Sequence, residues 1–253
     1  MQSIDRAMGV IKILVDKAAE DGMSITELSN ECDLPVSSMH RVLKSMSQHG
    51  MIQQDPKTKR YNLGNIWLEY GLHMYDTMDY TSKIRPELVR LTDETEESVY
   101  LSQPMGSESL IIERIDNEKH AIRVYDKLGS RIPMHIGAAN KAMLAHMPTA
   151  EVKKILNQYV SKEQQPAFWD LLEAIKQRGC AISHGERTEG TVGIGAPILN
   201  HFGQVQGAVS VGVVSYNLTE ERLKFLTGSV RETGRRISAK LGYSEVQERR
   251  YRK

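Results

Sequence analysis

Residues 4–18 place apolar side chains at Ile4, Ala7, Met8, Ile11, Leu14, Val15 and Ala18. That i, i+3, i+4, i+7 stripe predicts an amphipathic helix with one face inward. Asp21-Gly22 breaks the chain. Ser24-Ile25-Thr26-Glu27 then reads as a capping box, in which hydroxyl and carboxylate each satisfy a backbone N–H. The short helix behind it turns Ile25, Leu28 and Cys32 inward. Asp33-Leu34-Pro35 is the next break, and Pro35 suits the first turn of a third helix. There Val36, Met39, Leu43 and Met46 fall on one side, and Ser37, Ser38, Arg41, Lys44, Ser45 and Gln48 largely on the other. Gly50 stops it. A short helix, a tight turn and a longer helix with a polar-basic outer face is a helix-turn-helix layout. Residues 51–54 and 60–63 flank the turn Asp55-Pro56-Lys57-Thr58-Lys59 and read as a hairpin wing, with Ile52, Tyr61 and Leu63 inward.

The pattern changes after residue 64. Ile66, Trp67, Leu68, Tyr70, Leu72, Met74, Tyr75 and Met78 wrap around more than one face of a predicted helix over 65–79. A helix apolar on several sides needs cover on several sides, which predicts a contact between two copies of the chain. Another helix is expected over 82–97, with Pro86 early and Asp93, Glu94, Glu96 and Glu97 on a solvated face. Strands follow at 99–102, 110–115 and 121–125, then helices at 137–147, 150–159 and 164–177. Strands return at 180–183, 191–199 and 205–214, the last two joined by a turn at 201–204. A long helix over 219–241, N-capped by Thr219, ends the pattern. This order predicts an α+β domain with an antiparallel sheet. Gly190, Gly193, Gly195, Gly203, Gly207 and Gly212 fall in its late strands and turns, pointing to bulges or to close approach of backbone or ligand.

Composition narrows the class. A length of 253 residues favours two domains. Apolar residues at 40% and charged residues at 26% describe a globular chain. No apolar run is long enough for a spanning helix, and residues 1–5 do not resemble a secretory signal, so a cytoplasmic setting without membrane contact is expected. The two cysteines are too far apart for a metal motif or a disulfide framework. The net charge of +1 hides a segregation. Residues 1–34 are mainly acidic, whereas 35–62 carry Arg41, Lys44, Lys57, Lys59 and Arg60 against Asp55 alone. Phosphates respond to that local density. The tail carries Arg249, Arg250, Arg252 and Lys253, which read as a frayed terminus that adds at most non-specific attraction to DNA.

The residue chemistry fits this layout. Arg41 can present a bidentate fork to guanine or phosphate. Ser37, Ser38 and Ser45 can donate to phosphates or base edges, and Gln48 can pair with adenine. Lys57, Lys59 and Arg60 on the wing suit phosphates. Catalytic patterns are missing. Cys180, His184, Glu186 and His135 are zinc-ligand types, but their spacing matches no zinc motif. Gly193-Ile194-Gly195 is not a dinucleotide fingerprint, and neither a nucleophile elbow nor a phosphate loop occurs. No enzyme, metal or cofactor is expected.

Several segments carry a family resemblance. They are Ser24-Ile25-Thr26-Glu27-Leu28, the run from Leu34-Pro35-Val36 to Arg41-Val42-Leu43, His49-Gly50-Met51-Ile52 and Arg60-Tyr61-Asn62-Leu63-Gly64. Further along are Gly129-Ser130-Arg131-Ile132-Pro133-Met134-His135 with Gly137-Ala138-Ala139-Asn140-Lys141-Ala142, then Arg178-Gly179-Cys180-Ala181 and Gly193-Ile194-Gly195-Ala196-Pro197-Ile198. In this order they resemble the IclR family of bacterial transcriptional regulators. The resemblance implies a winged helix over 1–64, a linker helix over 65–80 and a GAF-like α/β effector-binding domain over 81–253. It implies a homodimer or homotetramer on double-stranded operator DNA, and repression of a metabolic operon as the commoner output. Matched position by position, it places a small-molecule effector against Gly137, Ala138, Ser183, Gly193, Ser210 and Gly212. Free N–H groups at Gly137 and Ala138 would favour an anion such as a carboxylate. Family members that bind small oxo-acids are more often polar at 183, 193 and 212, so the departure here argues against a glyoxylate-like ligand and allows a bulkier one. The alternative is a ligand or metal sensor whose winged helix meets a protein partner, because a fold alone does not prove DNA binding.

Overall fold

A computed structural model of the chain describes residues 2–17, 22–77, 79–117, 124–216 and 218–244. It divides into two compact units, Met1–Asp79 and Tyr80–Lys253. Among the described residues, no helix is long and apolar enough to cross a membrane.

The first unit holds helices α1 (Gln2–Asp16), α2 (Ile25–Glu31) and α3 (Val36–Gln48), a hairpin of β1 (Ile52–Gln54) and β2 (Tyr61–Leu63), and helix α4 (Ile66–Thr77). Its core joins Val10, Ile11 and Leu14 of α1 to Leu28, Met39, Leu43, Met46, Ile52 and Tyr61. The predicted α1 stripe is only half buried. Ile4, Met8 and Val15 stay exposed, because α2, α3 and the hairpin cover a narrower strip than the stripe offers. Ala18 and Asp21 lie outside the described residues. Pro35 is the N-cap of α3 rather than part of its first turn, and its carbonyl accepts the Ser38 and Met39 N–H groups at 2.9 Å. Gly64 admits close backbone packing: a Cβ there would lie 1.9 Å from the Gly50 carbonyl oxygen. Trp67 anchors the start of α4 by donating its indole N–H to the Met51 carbonyl at 2.7 Å. Leu68, Tyr70, Leu72, Met74 and Tyr75 remain exposed, as the several-sided apolar pattern requires of a helix with one covered side.

The second unit opens with α5 (Asp79–Thr95) and is built on an antiparallel sheet. Its strands are β3 (Val99–Met105), β4 (Glu108–Ile115), β5 (Arg131–Pro133), β6 (Ala181–His184), β7 (Thr191–Leu199) and β8 (Val205–Val214), in the order β5-β4-β3-β8-β7-β6. Helices α6 (Ala138–Leu144), α7 (Thr149–Tyr159) and α8 (Gln165–Arg178) precede β6, and α9 (Glu220–Lys240) closes the unit. Alternation along β7 and β8 separates two cores. Val192, Ile194, Ile198, Val209, Val211 and Val213 meet Leu88 and Leu91 of α5 and Leu226, Val230 and Ile237 of α9. A second cluster joins Met143, Leu156, Leu172 and Ile175 of α6–α8 to Ala181 and Ala208. α6 lies directly on β7, since a Cβ at Gly195 would sit 2.6 Å from the Ala139 nitrogen.

Two expectations change. The strand over 121–125 falls partly outside the described residues, and Val124 and Tyr125 are not in a strand. Sheet pairing instead continues through β5, which is too short to show alternation. The acidic run of α5 is not simply solvated. Glu94 pairs with Arg90 and accepts the Ser229 hydroxyl at 2.6 Å, and Glu97 meets Arg222 at 3.2 Å. Two turns before Glu94, Glu87 is buried among Arg90, Arg236 and Lys240 at 3.1, 3.0 and 3.0 Å, tying α5 to α9. Burial raises its pKa, but hydrogen bonds from Lys240 and Arg90 outweigh this and hold the carboxyl below the usual glutamate range.

Two outcomes follow from this packing. Gly195→Ala should lower the stability of the second unit by about 1–3 kcal/mol, because the new methyl meets backbone and not a mobile side chain; urea denaturation reads this. The lowered Glu87 pKa means the folded state binds fewer protons than the unfolded one. Stability from this group is therefore present above the ordinary glutamate range and lost as pH falls through the lower, folded value. Glu87→Gln should lower stability at neutral pH by about 1–2 kcal/mol, its partners being part-exposed, and flatten the acid-side loss in denaturation midpoints measured against pH.

Candidate nucleic-acid interface and ligand cavity

Two local devices shape the first candidate surface. The Ser24–Glu27 capping box is formed, with the Ser24 N–H on the Glu27 carboxylate at 2.6 Å and the Glu27 N–H on the Ser24 hydroxyl at 3.3 Å. The turn between α2 and α3 closes through the Leu34 N–H on the Ser29 carbonyl at 3.0 Å, with Asp33 in left-handed backbone. α3 buries Met39, Leu43 and Met46 and so presents Ser37, Arg41, Lys44, Ser45 and Gln48 to solvent, with Ser38 half-buried at the edge. Val36, expected inward, is exposed in the first turn. His40 lies on the same exposed face between Ser37 and Lys44. Sequence reasoning passed over it, although its i+3 and i+4 spacing to those residues was the available signal.

The wing tip is organised by Asp55, whose carboxylate accepts the Lys57 and Thr58 N–H groups at 2.8 Å each. Those two backbone hydrogen bonds, Thr58 first, hold its pKa below the usual aspartate range. Lys57 and Lys59 project from the turn into solvent. Arg60 does not join them. Its guanidinium turns back to donate to the Gly22 carbonyl at 2.9 Å and to pair with Glu27 at 3.0 Å. A wing residue of the right charge is thus placed as a brace between the wing and the start of α2. Arg41, Lys44, Lys57 and Lys59 make no ion pair among the described residues. The basic tail, including Arg249, Arg250, Arg252 and Lys253, lies outside the described residues.

The second unit contains a cavity of about 90 Å³ between the start of α6 and the sheet. Gly137, Ala138, Ser183, Gly193, Ser210 and Gly212 all line it. Register explains the convergence. Ser183 pairs with Gly193, Gly193 with Gly212, Gly195 with Ser210, and Ser210 with Tyr100, which lays these positions in adjacent rows across β6, β7, β8 and β3. The glycines are small for distinct reasons: a Cβ at Gly193 would meet the Ser183 hydroxyl at 2.8 Å, and one at Gly212 would meet Val124 at 3.0 Å.

Residues missed in the sequence complete the walls. Ile111, Val124 and Ile132 give apolar surface, and Ser102, Asp126, Glu186, Arg187 and Thr188 give polar surface. The Tyr100 hydroxyl donates to the Val124 carbonyl at 2.6 Å, and burial pushes its pKa up to about 12, so it remains a neutral donor. Asp126 pairs with Arg187 at 3.0 Å; burial nevertheless raises its pKa against the pull of Arg187 and Arg114. Neither was legible: Tyr100 meets Ser210 only through a strand pairing distant in sequence, and the 185–191 segment has no periodicity to place it.

The expected free N–H at Gly137 is not free. It donates to the Glu186 carboxylate at 2.9 Å, and the same carboxylate pairs with Lys141. With seven residues, α6 is also short for a helix-dipole site. The zinc-ligand types do not assemble: Cys180 is buried, and among the described residues no three His, Cys, Asp or Glu side chains are placed to hold a metal ion.

Comparison with known proteins agrees with both halves of this geometry. Residues 3–56 match the IclR helix-turn-helix domain model, and residues 72–239 match the model of the bacterial transcriptional regulator IclR C-terminal domain. The HTH-type transcriptional regulator KipR of Bacillus subtilis is 27% identical over 96% of this chain and 98% of its own length. The HTH-type transcriptional repressor AllR of Escherichia coli is 27% identical over 95% of this chain and 90% of its own. The crystal structure of the Thermotoga maritima IclR superposes with a TM-score of 0.77 at 25% identity, covering 96% of this chain and all of that one.

Proposed function

The chain belongs to the IclR family of bacterial transcriptional regulators, and from that premise we propose that it represses a metabolic operon through the two sites described above. The family's work is transcription regulation, not catalysis: a helix-turn-helix domain binds DNA and the C-terminal domain binds an effector. Repression is supported by likeness to regulators such as AllR, named a repressor. The observation that carries the reading is the contrast between the sites. One is an exposed helix and wing on which Arg41, Lys44, Lys57 and Lys59 make no ion pair among the described residues. The other is a lined cavity in the other unit.

In this reading α3 enters the major groove. Arg41 reads a base edge, Ser37, Ser38, Ser45, Gln48 and His40 contact bases or phosphates, and Lys44, Lys57 and Lys59 hold the backbone. Arg60 serves as the internal brace. Two copies bind a roughly palindromic site, because half-sites on duplex DNA match a two-fold protein. The exposed apolar residues of α4 supply a surface for that contact, as a homodimer or within a homotetramer. The protein acts in the cytoplasm, where its target DNA lies. An effector in the cavity shifts the population between arrangements of different DNA affinity, to the extent that it binds one of them more tightly.

Fluorescence anisotropy over a salt series tests the reading, using an operator selected from a random duplex pool and a random duplex as control. Arg41→Ala should cost about 1–3 kcal/mol on the operator and little on the random duplex. Lys57→Ala should weaken both and reduce the slope of log K against log salt by about 0.9. Arg60→Ala should leave the slope unchanged and lower stability by up to about 1 kcal/mol. Binding without a steep salt slope would overturn the DNA reading in favour of a protein partner.

A further inference from the structure

The second unit also carries an open groove of about 860 Å³ that shares no lining residue with the cavity described above. Strand length makes it. β6 pairs with β7 only from Val192 to Gly195, so Ala196, Pro197 and Leu199 run on past its end and form an apolar floor. The last turn of α8 makes one wall and α9 the other, and the Ser238 hydroxyl of α9 accepts the Leu199 N–H at 3.0 Å. Gly179 turns the chain out of α8 in left-handed backbone, and the Arg231 stem lies 3.4 Å from where its Cβ would stand. The walls are of one sign. Lys176 and Arg178 come from α8 and Arg231, Arg235 and Arg236 from α9, with Glu232 the single acid of the lining. Arg235 pairs with Glu232 at 3.6 Å and Arg236 with Glu87 at 3.0 Å. Lys176, Arg178 and Arg231 make no ion pair among the described residues. The helix dipole accounts for bases in the last turn of α8, but not for Arg231. Arg178 and Arg231 converge on one spot, which the buried Cys180 thiol registers: burial pushes its pKa up, and both guanidinium groups pull it down. A concave surface of one sign over an apolar floor focuses its field, so an anion gains more there than on a flat basic surface.

We propose that this groove is a second ligand site, and that it takes a small metabolite carrying a chain of two or three phosphates. Three cations without a partner call for a ligand with several negative charges close together, and a monocarboxylate would leave two of them unmatched. Guanidinium groups suit phosphate oxygens in particular, because their paired N–H donors match two oxygens at once. Lys176 is half-buried and Arg178 and Arg231 are exposed, so they wait in water at little cost and stay available. The volume falls within the range of roughly 300–1,000 Å³ typical of small-molecule sites. The floor of Ala196, Pro197 and Leu199 offers an apolar surface to the organic part of the ligand. A concave shape of this size favours a small anion over duplex DNA, whose backbone is convex. The bound phosphates would tie the end of α8 to α9. The site stands apart from the cavity and does not rest on how that cavity is read.

Isothermal titration of the full chain with tripolyphosphate, at about 0.15 M salt so that diffuse attraction is screened, tests this. One ion should bind per chain, at least about ten-fold more tightly than inorganic phosphate. Arg178→Gln/Arg231→Gln should weaken binding by about ten-fold or more, since charge-assisted contacts are lost. Lys57→Ala/Lys59→Ala, on the wing of the first unit, should change it by less than about two-fold. Absence of binding, or equal binding by the groove variant, overturns the proposal. So does a loss confined to the wing variant, which would place the ion on the DNA-binding surface. Citrate, which carries similar charge without phosphate, should bind more weakly, and equal affinity overturns the phosphate assignment. Operator affinity without tripolyphosphate should be the same in wild type and groove variant. A loss there would make the groove a DNA surface and overturn the ligand site. Should Arg178→Gln/Arg231→Gln fail to fold, Lys176→Gln/Arg178→Gln, confined to the end of α8, is judged by the same criteria.

Discussion

The backbone approach between Gly195 and the start of α6 sets the geometry of the second unit. A single added carbon at 195 would stand 2.6 Å from the Ala139 nitrogen, well inside contact distance. Without a side chain there, α6 settles on β7 and its first residues, Gly137 and Ala138, hang over the neighbouring strand positions. At Gly193 and Gly212 the space of the missing side chain is taken by a neighbouring wall of the cavity, the Ser183 hydroxyl at one and Val124 at the other. Those three glycines therefore act differently: Gly195 draws the helix in, and Gly193 and Gly212 each admit a side chain of the cavity wall. On the opposite face, Gly234 of α9 works like Gly195, since a Cβ there would lie 2.9 Å from that of Ala196. β7 is thus approached closely from both sides, which fixes the sheet between its helices with little freedom to slide.

Charge does related work where glycine cannot. Glu87 is held by cations from both α5 and α9, and Arg222 at the start of α9 reaches back to Glu97. These contacts sit at the rim of a core that Leu88, Leu91, Val230 and Ile237 already fill. Apolar burial is non-directional and supplies most of the stability, whereas the ion pairs at both ends of α9 fix its register along α5.

Regular elements with long apolar periodicity were legible in the sequence. β7 and β8 lie where alternation put them, and α7 and α8 end within a residue or two of the pattern. The face of α3 was readable because Met39, Leu43 and Met46 leave only one side for polar residues. The six cavity positions were chosen by resemblance, and the strand register accounts for their meeting. Other features depend on partners distant in sequence. Nothing local to Arg60 says that Gly22 and Glu27 will face it, and nothing local to Glu186 says that a buried lysine of α6 lies opposite. β5 has three residues, too few for a period of two to register. The acidic end of α5 has the composition of a solvated face, and only its position beside α9 turns it into a set of counter-ions.

The two sites obey opposite charge rules for one physical reason. On α3 and the wing, Arg41, Lys44, Lys57 and Lys59 stand in water, where an unpaired cation costs almost nothing and remains available to a phosphate. The charges that shape this surface, Asp55 and Arg60 with Glu27, are the ones consumed internally. The cavity cannot keep an unpaired charge in waiting, because desolvation would drive the group to neutralise or the fold to open. Arg187 of the lining is matched there by Asp126 of the same chain. A ligand arriving at the first site adds to what is present, whereas a charged ligand at the second meets a lining in which Arg187 is already matched by Asp126. A contact that differs between the free and bound states is what a regulator needs if occupancy is to alter its affinity for DNA.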